Sequence, residues 1–494
     1  MRLSWHGYQY YPYERVLALR EVAALLKTTT AHAIDGGIEL DYYEDASCAS
    51  QLTYFAGYVN GRGYIQTIQA RLEDAARLGK NRQATRYSVH GLHEYKGKFN
   101  PQIARVILNI FNVCPSQRVF DPFCGSGTTL VECAHRGALG YGTDLNPFAV
   151  YLANAKLLAL TTPVATLKST LQTVAAVFRQ TKQWTTTVQD DVRGKYLQSW
   201  FDPRILQQIE IVADRIKTVA GTLAPIFLSI ASNLLRDYSL QDPHDLRIRR
   251  RKSPLPDTPF IDAFLSAAEQ FLERVGSAQS VLGVKSRAGE ATLCDVTALK
   301  HKKFRHLFDA ALTSPPYAMA LPYIDTQRLS LVWLNLLTAD RILGLESELI
   351  GSRELRGSHR REIIGHMHDN RAGLPKAQAA FCIALQKALT RTDGFRRIAV
   401  PTLLYRYFAS MQESFQSIRS VMKPAAPFAL IIGHNHTVLG GVRYDINTPA
   451  HLASIANDVG WKVDELIELQ TYHRYGYHMN NSVAAETLLI LRNQ

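Results

Sequence analysis

Apolar positions in this chain switch between two periods, and the switches outline its elements. Ile103, Val106, Ile107 and Ile110 recur at helical spacing behind Pro101. Proline suits a first helical turn, because the N–H it lacks would find no partner there. Arg118 to Phe120 then read as a short buried strand ending at Asp121, and Pro122 stops it. Gly125 and Gly127 give a tight turn without side chains, TTLVECAHRG continues as a helix, and LGYGTD is a second strand ending in Asp144. Strand, glycine turn, helix, strand and acid make a βαβ unit whose loop lets a ligand approach the backbone.

The same reading divides the rest of the chain. Residues 1–85 open with the amphipathic helix YERVLALREVAALLKT and continue as polar, Tyr-rich turns, an accessory segment. Residues 86–165 hold the βαβ unit. Residues 166–283 carry long helical patterns, PRILQQIEIVADRIKTVAG and LAPIFLSIASNLLRDYSL, and the basic run Arg247, Ile248, Arg249, Arg250, Arg251, Lys252: a helical insertion. Residues 284–337 bring a short strand before Asp295, a buried strand over Ala310–Leu312 that stops at TSPPY, and a predicted helix over 322–337. That helix has Leu329, Val332, Trp333 and Leu336 on one face, which makes Trp333 a core residue. Residues 338–400 are a basic insertion. Residues 401–494 add a helix ending at Pro424, the strand PFALIIGHNHT with a polar end, a further helix and strand, and the final strand SVAAETLLILRN. No stretch approaches the ~18 uncharged apolar residues of a membrane helix, and the N-terminus lacks a signal-peptide run.

Composition narrows the classes. At 494 residues and 46% hydrophobic there is room for about two or three domains around a large core. A formal charge of +13 fits a polyanionic partner through counterion release, or else a basic solvated face. Six cysteines without a CxxC pair indicate neither a disulfide framework nor zinc, and fit a reducing cytoplasm. His434, Asn435 and His436 have no carboxylate at metal-binding spacing, so a loop role near substrate is expected there and no metal.

Three ligands compete for the glycine loop. A P-loop requires a lysine after the last glycine, and none follows Gly127; a dinucleotide fold wants GxGxxG, which GSGTTL lacks. DPFCGSGTT, with TDLNP downstream and TSPPY further on, resembles the S-adenosylmethionine-dependent methyltransferases that modify exocyclic amino groups in DNA, the N4-cytosine and N6-adenine enzymes. The resemblance covers roughly residues 86–165 and 284–494. It implies an α/β fold, a Rossmann-like class I methyltransferase sheet with a large helical insertion and an N-terminal accessory segment. It also implies S-adenosylmethionine as cofactor. By match, Asp121, Pro122, Phe123, Cys124, Gly125, Gly127 and Thr128 cradle the cofactor's methionine part, and Asp144 holds the ribose hydroxyls. Leu145, Asn146 and Asp295 are further cofactor positions, Asp295 standing where the family places the acid that takes the adenine amino group, or else as a solvated loop acid. HEYKGKFNP resembles the family segment that closes over the methionine end, which assigns Lys98, Phe99 and Pro101 to the cofactor.

TSPPY carries the chemistry. An exocyclic amine is a poor nucleophile because its lone pair is delocalised into the ring, so acceptors must draw that lone pair out. Ser314 Oγ and the Pro315 carbonyl can each accept one amino N–H, Pro315 and Pro316 hold them rigidly, and Tyr317 offers a stacking face for an extruded base. A cytosine-C5 enzyme needs a nucleophilic cysteine after a proline, and none of the six cysteines follows one. Serine after Thr313 is the form associated with N4-cytosine enzymes, with N6-adenine the alternative. An RNA amino-methyltransferase and an inactive nucleic-acid-binding subunit are the further readings. Double-stranded DNA is then the expected partner, with a cognate restriction endonuclease as a second. Arg247, Arg249, Arg250, Arg251, Lys252, Arg353, Arg356, Arg360 and Arg361 are candidates to line the groove. No membrane partner is expected; the location is cytoplasmic, at the nucleoid when DNA is bound.

Overall fold

The computed structural model describes residues 1–61, 63–74, 83–180, 190–245, 247–299, 304, 306–319, 323–355, 357–470 and 485–494. Five short strands open the chain: β1 (Arg2–Trp5), β2 (His32–Ile34), β3 (Gly37–Glu39), β4 (Phe55–Val59) and β5 (Tyr64–Gln66), in the order β2-β3-β1-β4-β5. Helix α1 (Pro12–Leu26) follows β1, α2 (Ile68–Asp74) follows β5, and α3 (Pro101–Ile110) starts at the expected proline behind an Asn100 cap. The expected N-terminal helix is α1, and the strands of a small sheet occupy the stretch where polar turns were expected.

The central sheet has seven strands. They are β6 (Arg118–Asp121), β7 (Leu139–Asp144), β8 (Gly289–Leu293), β9 (Ala310–Thr313), β10 (Pro427–Gly433), β13 (Trp461–Gln470) and β14 (Ala485–Asn493), in the order β13-β14-β10-β9-β6-β7-β8. A separate hairpin, β11 (Asn435–Leu439) and β12 (Val442–Ile446), follows β10 directly. The run from β10 to β8 is parallel, and β14 lies antiparallel between β10 and β13. Strands buried on both faces read as continuous apolar runs, and alternate residues of β10 accordingly enter two cores. Ala429 and Ile431 join α1, α3, Val119 and Leu312 on one face, while Phe428, Leu430 and Ile432 join Phe120, Phe408, Phe415 and Trp461 on the other.

Helices α4 (Thr128–His135) and α5 (Pro147–Thr161) complete the βαβ unit. Next come α6 (Val164–Gln180), α7 (Val192–Trp200), α8 (Pro203–Ala220), α9 (Ala224–Tyr238) and α10 (Phe260–Leu282), the predicted helical insertion. It shares one core with α4 and α5: Leu152, Leu157 and Leu160 cluster with Ile209, Phe227 and Phe264. Residues 203–238 are long and apolar enough to cross a membrane, contrary to expectation, and over half of that apolar window is buried inside the molecule. At the open edge of the sheet, Asn154 of α5 pairs with both backbone groups of Ala291, each at 2.9 Å.

After β9 the predicted 322–337 helix shortens to α11 (Arg328–Trp333) behind a 3₁₀ turn, because Asn335 takes a left-handed φ of 57°. Trp333 is buried. Helices α12 (Ile342–Glu348), α13 (Gly357–His368), α14 (Lys376–Lys387) and the single turn α15 (Phe395–Ile398) lead into α16 (Val400–Arg419), and α17 (Thr448–Asp458) precedes β13.

Candidate active site

The chain leaves β6 toward β7 and β8 on one side and toward β9 and β10 on the other, so the strand order reverses there. Open α/β sheets bind ligands at the carboxyl ends beside such a point. The glycine loop and TSPPY meet at it. Asp121, buried behind the loop, accepts from Thr313 Oγ1 at 2.6 Å and from the Phe123 N–H at 3.2 Å. Its carboxylate thus ties the two loops together and lies outside the lining of the cavity between them. Burial pushes it up to about 7, against donors from Thr129, Thr313 and Phe123.

Gly125 and Gly127 hold φ of +47° and +80°, and a Cβ on Gly127 would sit 2.9 Å from the Ala153 side chain. Only glycine lets the loop lie this close to α5. Asp144 accepts from the Gly125 N–H and the Asn146 N–H, each at 2.9 Å, and burial pushes it up to about 6 against those donors. Asn146 caps α5 through Phe148 N–H and donates to Gln327; Leu145 packs on the α5 core. Pro122 accepts from Thr143 Oγ1 at 2.9 Å, and Cys124 is buried beneath the loop. Asp295 stands exposed beyond β8, its Oδ1 capping a 3₁₀ turn through both Thr297 donors at 2.9 Å.

Over this loop lies the segment before α3. A cavity of about 30 Å³ is lined by Tyr95, Gly97, Lys98 and Phe99 on one side and by Phe123, Cys124, Gly125, Ser126, Thr128 and Ser314 on the other. Lys98 Nζ points to the carbonyls of Thr85 and His90 at 3.3 and 3.4 Å, and burial of the ammonium lowers it to about 8. Pro101 lies outside the cavity, buried at the start of α3. Ser314 Oγ donates to the Ile431 carbonyl at 3.2 Å, which leaves its lone pairs as acceptors. The Tyr317 hydroxyl donates to Glu486 of β14, and its ring packs so close to Gly433 that a Cβ there would lie 2.8 Å from Cε2.

Residues 92–186 match the UPF0020 family, RMKL-like, methyltransferase domain. The chain is 22% identical over 366 residues, 70% of its length and 77% of the other's, to the Type II methyltransferase M.MvaI of Kocuria varians. It is 49% identical over 70 residues, 14% and 13% of the two lengths, to the Type II methyltransferase M.MjaII of Methanocaldococcus jannaschii. A 52-residue stretch, 10% of this chain and 16% of the other, is 36% identical to the tRNA (guanine(10)-N2)-dimethyltransferase of Methanothermobacter thermautotrophicus. Among solved structures, TrmN from Thermus thermophilus aligns over 100% of this chain and 99% of that one, with a TM-score of 0.35 and 10% identity. The chain is an S-adenosylmethionine-dependent methyltransferase. The site fits that cofactor: a side-chain-free cradle stands beside a strand-end carboxylate with open lone pairs and a lysine under-compensated by its partners. Ligand cavities generally reach about 300 Å³ or more, and the Tyr95 ring lies directly over Gly125.

Elsewhere the methyltransferase disperses its basic residues. Arg251 is spent on the carbonyls of Asp237 and Ser239 at 2.6 and 3.1 Å, Arg250 stacks over Trp200 at 4.5 Å, and Arg249 pairs with Asp245 at 3.0 Å. Arg247 and Lys252 are exposed. Arg353 Nε donates to the Met319 carbonyl at 2.8 Å and so braces the chain just after TSPPY. Arg360 and Arg361 lie on α13, and Arg356 falls outside the described residues.

Three contributors were not anticipated. Tyr95 covers the loop without any spacing signal. Lys156, the lone cation in an otherwise apolar helix, is fully buried and donates to the Ser126 carbonyl at 2.7 Å and its Oγ at 3.0 Å, stiffening the loop from below. Glu132 Oε1 meets the Tyr87 hydroxyl, His90 Nε2 and His135 Nδ1 at 2.8, 2.7 and 3.2 Å, with Arg105 at 3.4 Å from Oε2. Burial alone would raise this carboxylate, yet His135, His90 and Arg105 hold it well below the ordinary range. Among the described residues this is the one cluster of metal-ligating type. Every donor converges on the carboxylate at hydrogen-bond distance and an arginine supplies the positive charge, so it works as a hydrogen-bond network joining the 87–90 segment to α4.

Proposed function

We propose that this enzyme methylates the exocyclic N4 amino group of a cytosine extruded from double-stranded DNA. The observation that carries the reading is Ser314. Its hydroxyl proton is committed to the Ile431 carbonyl, and its oxygen lines the same cavity as the glycine loop. An acceptor in that position, with the Pro315 carbonyl beside it, would take the two amino N–H groups and turn the nitrogen lone pair out of conjugation. Pro315 and Pro316 limit the backbone freedom that would blur this geometry. Tyr317, fixed by Glu486, would stack against the extruded ring.

The backbone from Asp121 to Thr128, including Pro122, Phe123 and Cys124, would cradle the methionine part, with Lys98 and Phe99 closing over it. Asp144 would accept from the ribose hydroxyls, and Leu145, Asn146 and Asp295 would flank the adenine. When bound, S-adenosylmethionine supplies an electrophilic methyl group on a sulfonium. Transfer is then direct, with no covalent enzyme intermediate.

The relatives named Type II methyltransferases favour DNA as the target, and a cognate restriction endonuclease as partner belongs to the proposal. The match to a tRNA dimethyltransferase favours a second reading, transfer to an exocyclic amine of RNA. Labelled methyl transfer to duplex DNA and to tRNA, followed by nucleoside analysis, decides between them. N4-methylcytosine from DNA is expected; N6-methyladenine would correct the base, and label in RNA alone would overturn the DNA reading. Ser314→Ala should lower kcat about 10²-fold, as loss of one preorganised hydrogen-bonding group does, while sparing cofactor affinity.

A further inference from the structure

A second surface stands out beyond the residues assigned above. Phe395, the first residue of α15, is 76% exposed, more than any other large apolar side chain among the described residues. Burying such a ring is favourable and leaving it in water is not, so its position invites a partner. The turn is held firmly. Asp393 is buried, and its Oδ2 accepts from the Thr390 N–H and from the Gly440 N–H, each at 2.9 Å. It thereby staples residues 390–397 to the tip of the β11–β12 hairpin.

The charge around the ring is positive. Arg391, Arg396 and Arg397 are exposed on the same turn. Arg397 approaches Asp393 only at 3.9 Å, while Arg443 on the hairpin is paired with Asp445 at 2.8 Å. Three guanidiniums around one rigid, exposed aromatic match a phosphate backbone in charge and fork geometry. The placement matches as well. β11 begins two residues after Gly433, against which Tyr317 packs. Seven residue steps from Gly433 to Gly440, at ~3.3 Å each, put the hairpin tip no more than about 23 Å from the backbone on which Tyr317 packs.

We propose that the Phe395 turn is a nucleic-acid wedge. Phe395 enters or caps a base step of the duplex while Arg391, Arg396 and Arg397 grip the flanking phosphates, as apolar wedges with basic flanks do in other duplex-bending proteins. At ~3.4 Å per base pair, about 23 Å places the wedge about seven base pairs or fewer from the extruded base. The choice of DNA rests on the function proposed above; the wedge itself rests on the exposed ring and its arginines.

The test uses the full chain and duplexes containing the target site, with 2-aminopurine placed one position at a time across ten base pairs. For the native protein, fluorescence should rise at the target position and at a second position about seven steps away or nearer. Phe395→Ala should abolish the second rise, keep the first and leave cofactor affinity unchanged, and Phe395→Leu should restore part of it. Arg396→Ala with Arg397→Ala should reduce the slope of log affinity against log salt by about 1.8, at ~0.9 per phosphate contact. Native-like fluorescence and salt slope in all these variants would overturn the wedge, as would a Phe395→Ala defect confined to binding of anionic vesicles. The two proposals fail separately. Duplex DNA that binds with the second rise but takes up no label sinks the transfer reaction alone; DNA that is methylated without the second rise sinks the wedge alone.

Discussion

Asp144 and Lys98 face the same cradle from opposite sides of neutrality. Burial pushes Asp144 up to about 6, so below that pH it protonates and loses acceptor capacity; Lys98 is lowered to about 8, so above that pH it loses its charge. Cofactor affinity measured by calorimetry should therefore peak between these values and fall on both sides. Asp144→Asn should flatten the acid limb and Lys98→Met the alkaline limb; a flat profile in the native enzyme would refute both roles. Tyr317 gives a second prediction. Its hydroxyl is fixed by Glu486, so Glu486→Ala should raise KM for the nucleic acid several-fold with cofactor affinity unchanged. Glu486→Gln, which keeps an acceptor, should recover much of it. TSPPY was legible as a site because two prolines ending a buried strand are costly without a purpose, whereas Glu486 was not, since a single acid beside an apolar strand looks like any solvated edge residue.

Among the elements, α4 and the segment before α3 are coupled through Glu132. Removing one member of a fully buried charged network strands its partners, at a cost of about 3–5 kcal/mol. Glu132→Ala should lower the denaturant midpoint accordingly and loosen the Tyr95 segment, visible as faster hydrogen exchange over residues 87–99. Strand and helix types in the βαβ unit were readable because Pro122, Gly125 and Gly127 mark where β6 stops and α4 begins, although β6 itself has only four residues. The strands β2, β3 and β5 have three residues each, too few for a period to declare itself, and they hid among tyrosines and glycines. The hairpin after β10 hid in the same way, as a strand with a polar end. The RIRRRK run shows the converse: composition marks charge, but only packing decides that Arg251 is spent on carbonyls and Arg250 on Trp200.

Across the whole molecule, the helical insertion is part of the core rather than an appendage. Leu152, Leu157 and Leu160 of α5 lose their cover without it. Deleting residues 166–283 should leave a chain without a cooperative thermal transition, and a soluble, cooperatively melting deletion would refute that dependence. The sequence pattern located the insertion by helical period alone, which says nothing of what a helix packs against.

The bond from Thr313 to Asp121 also bridges a gap in time. It joins residues 192 positions apart, and at ~5–20 residues per second of synthesis roughly 10 to 40 s separate their emergence. Until Thr313 arrives, the acid at the end of β6 lacks the hydroxyl that holds it and the sheet lacks the strand beside it. A nascent chain thus exposes the glycine loop well before the strand and the hydroxyl that complete its surroundings have been made.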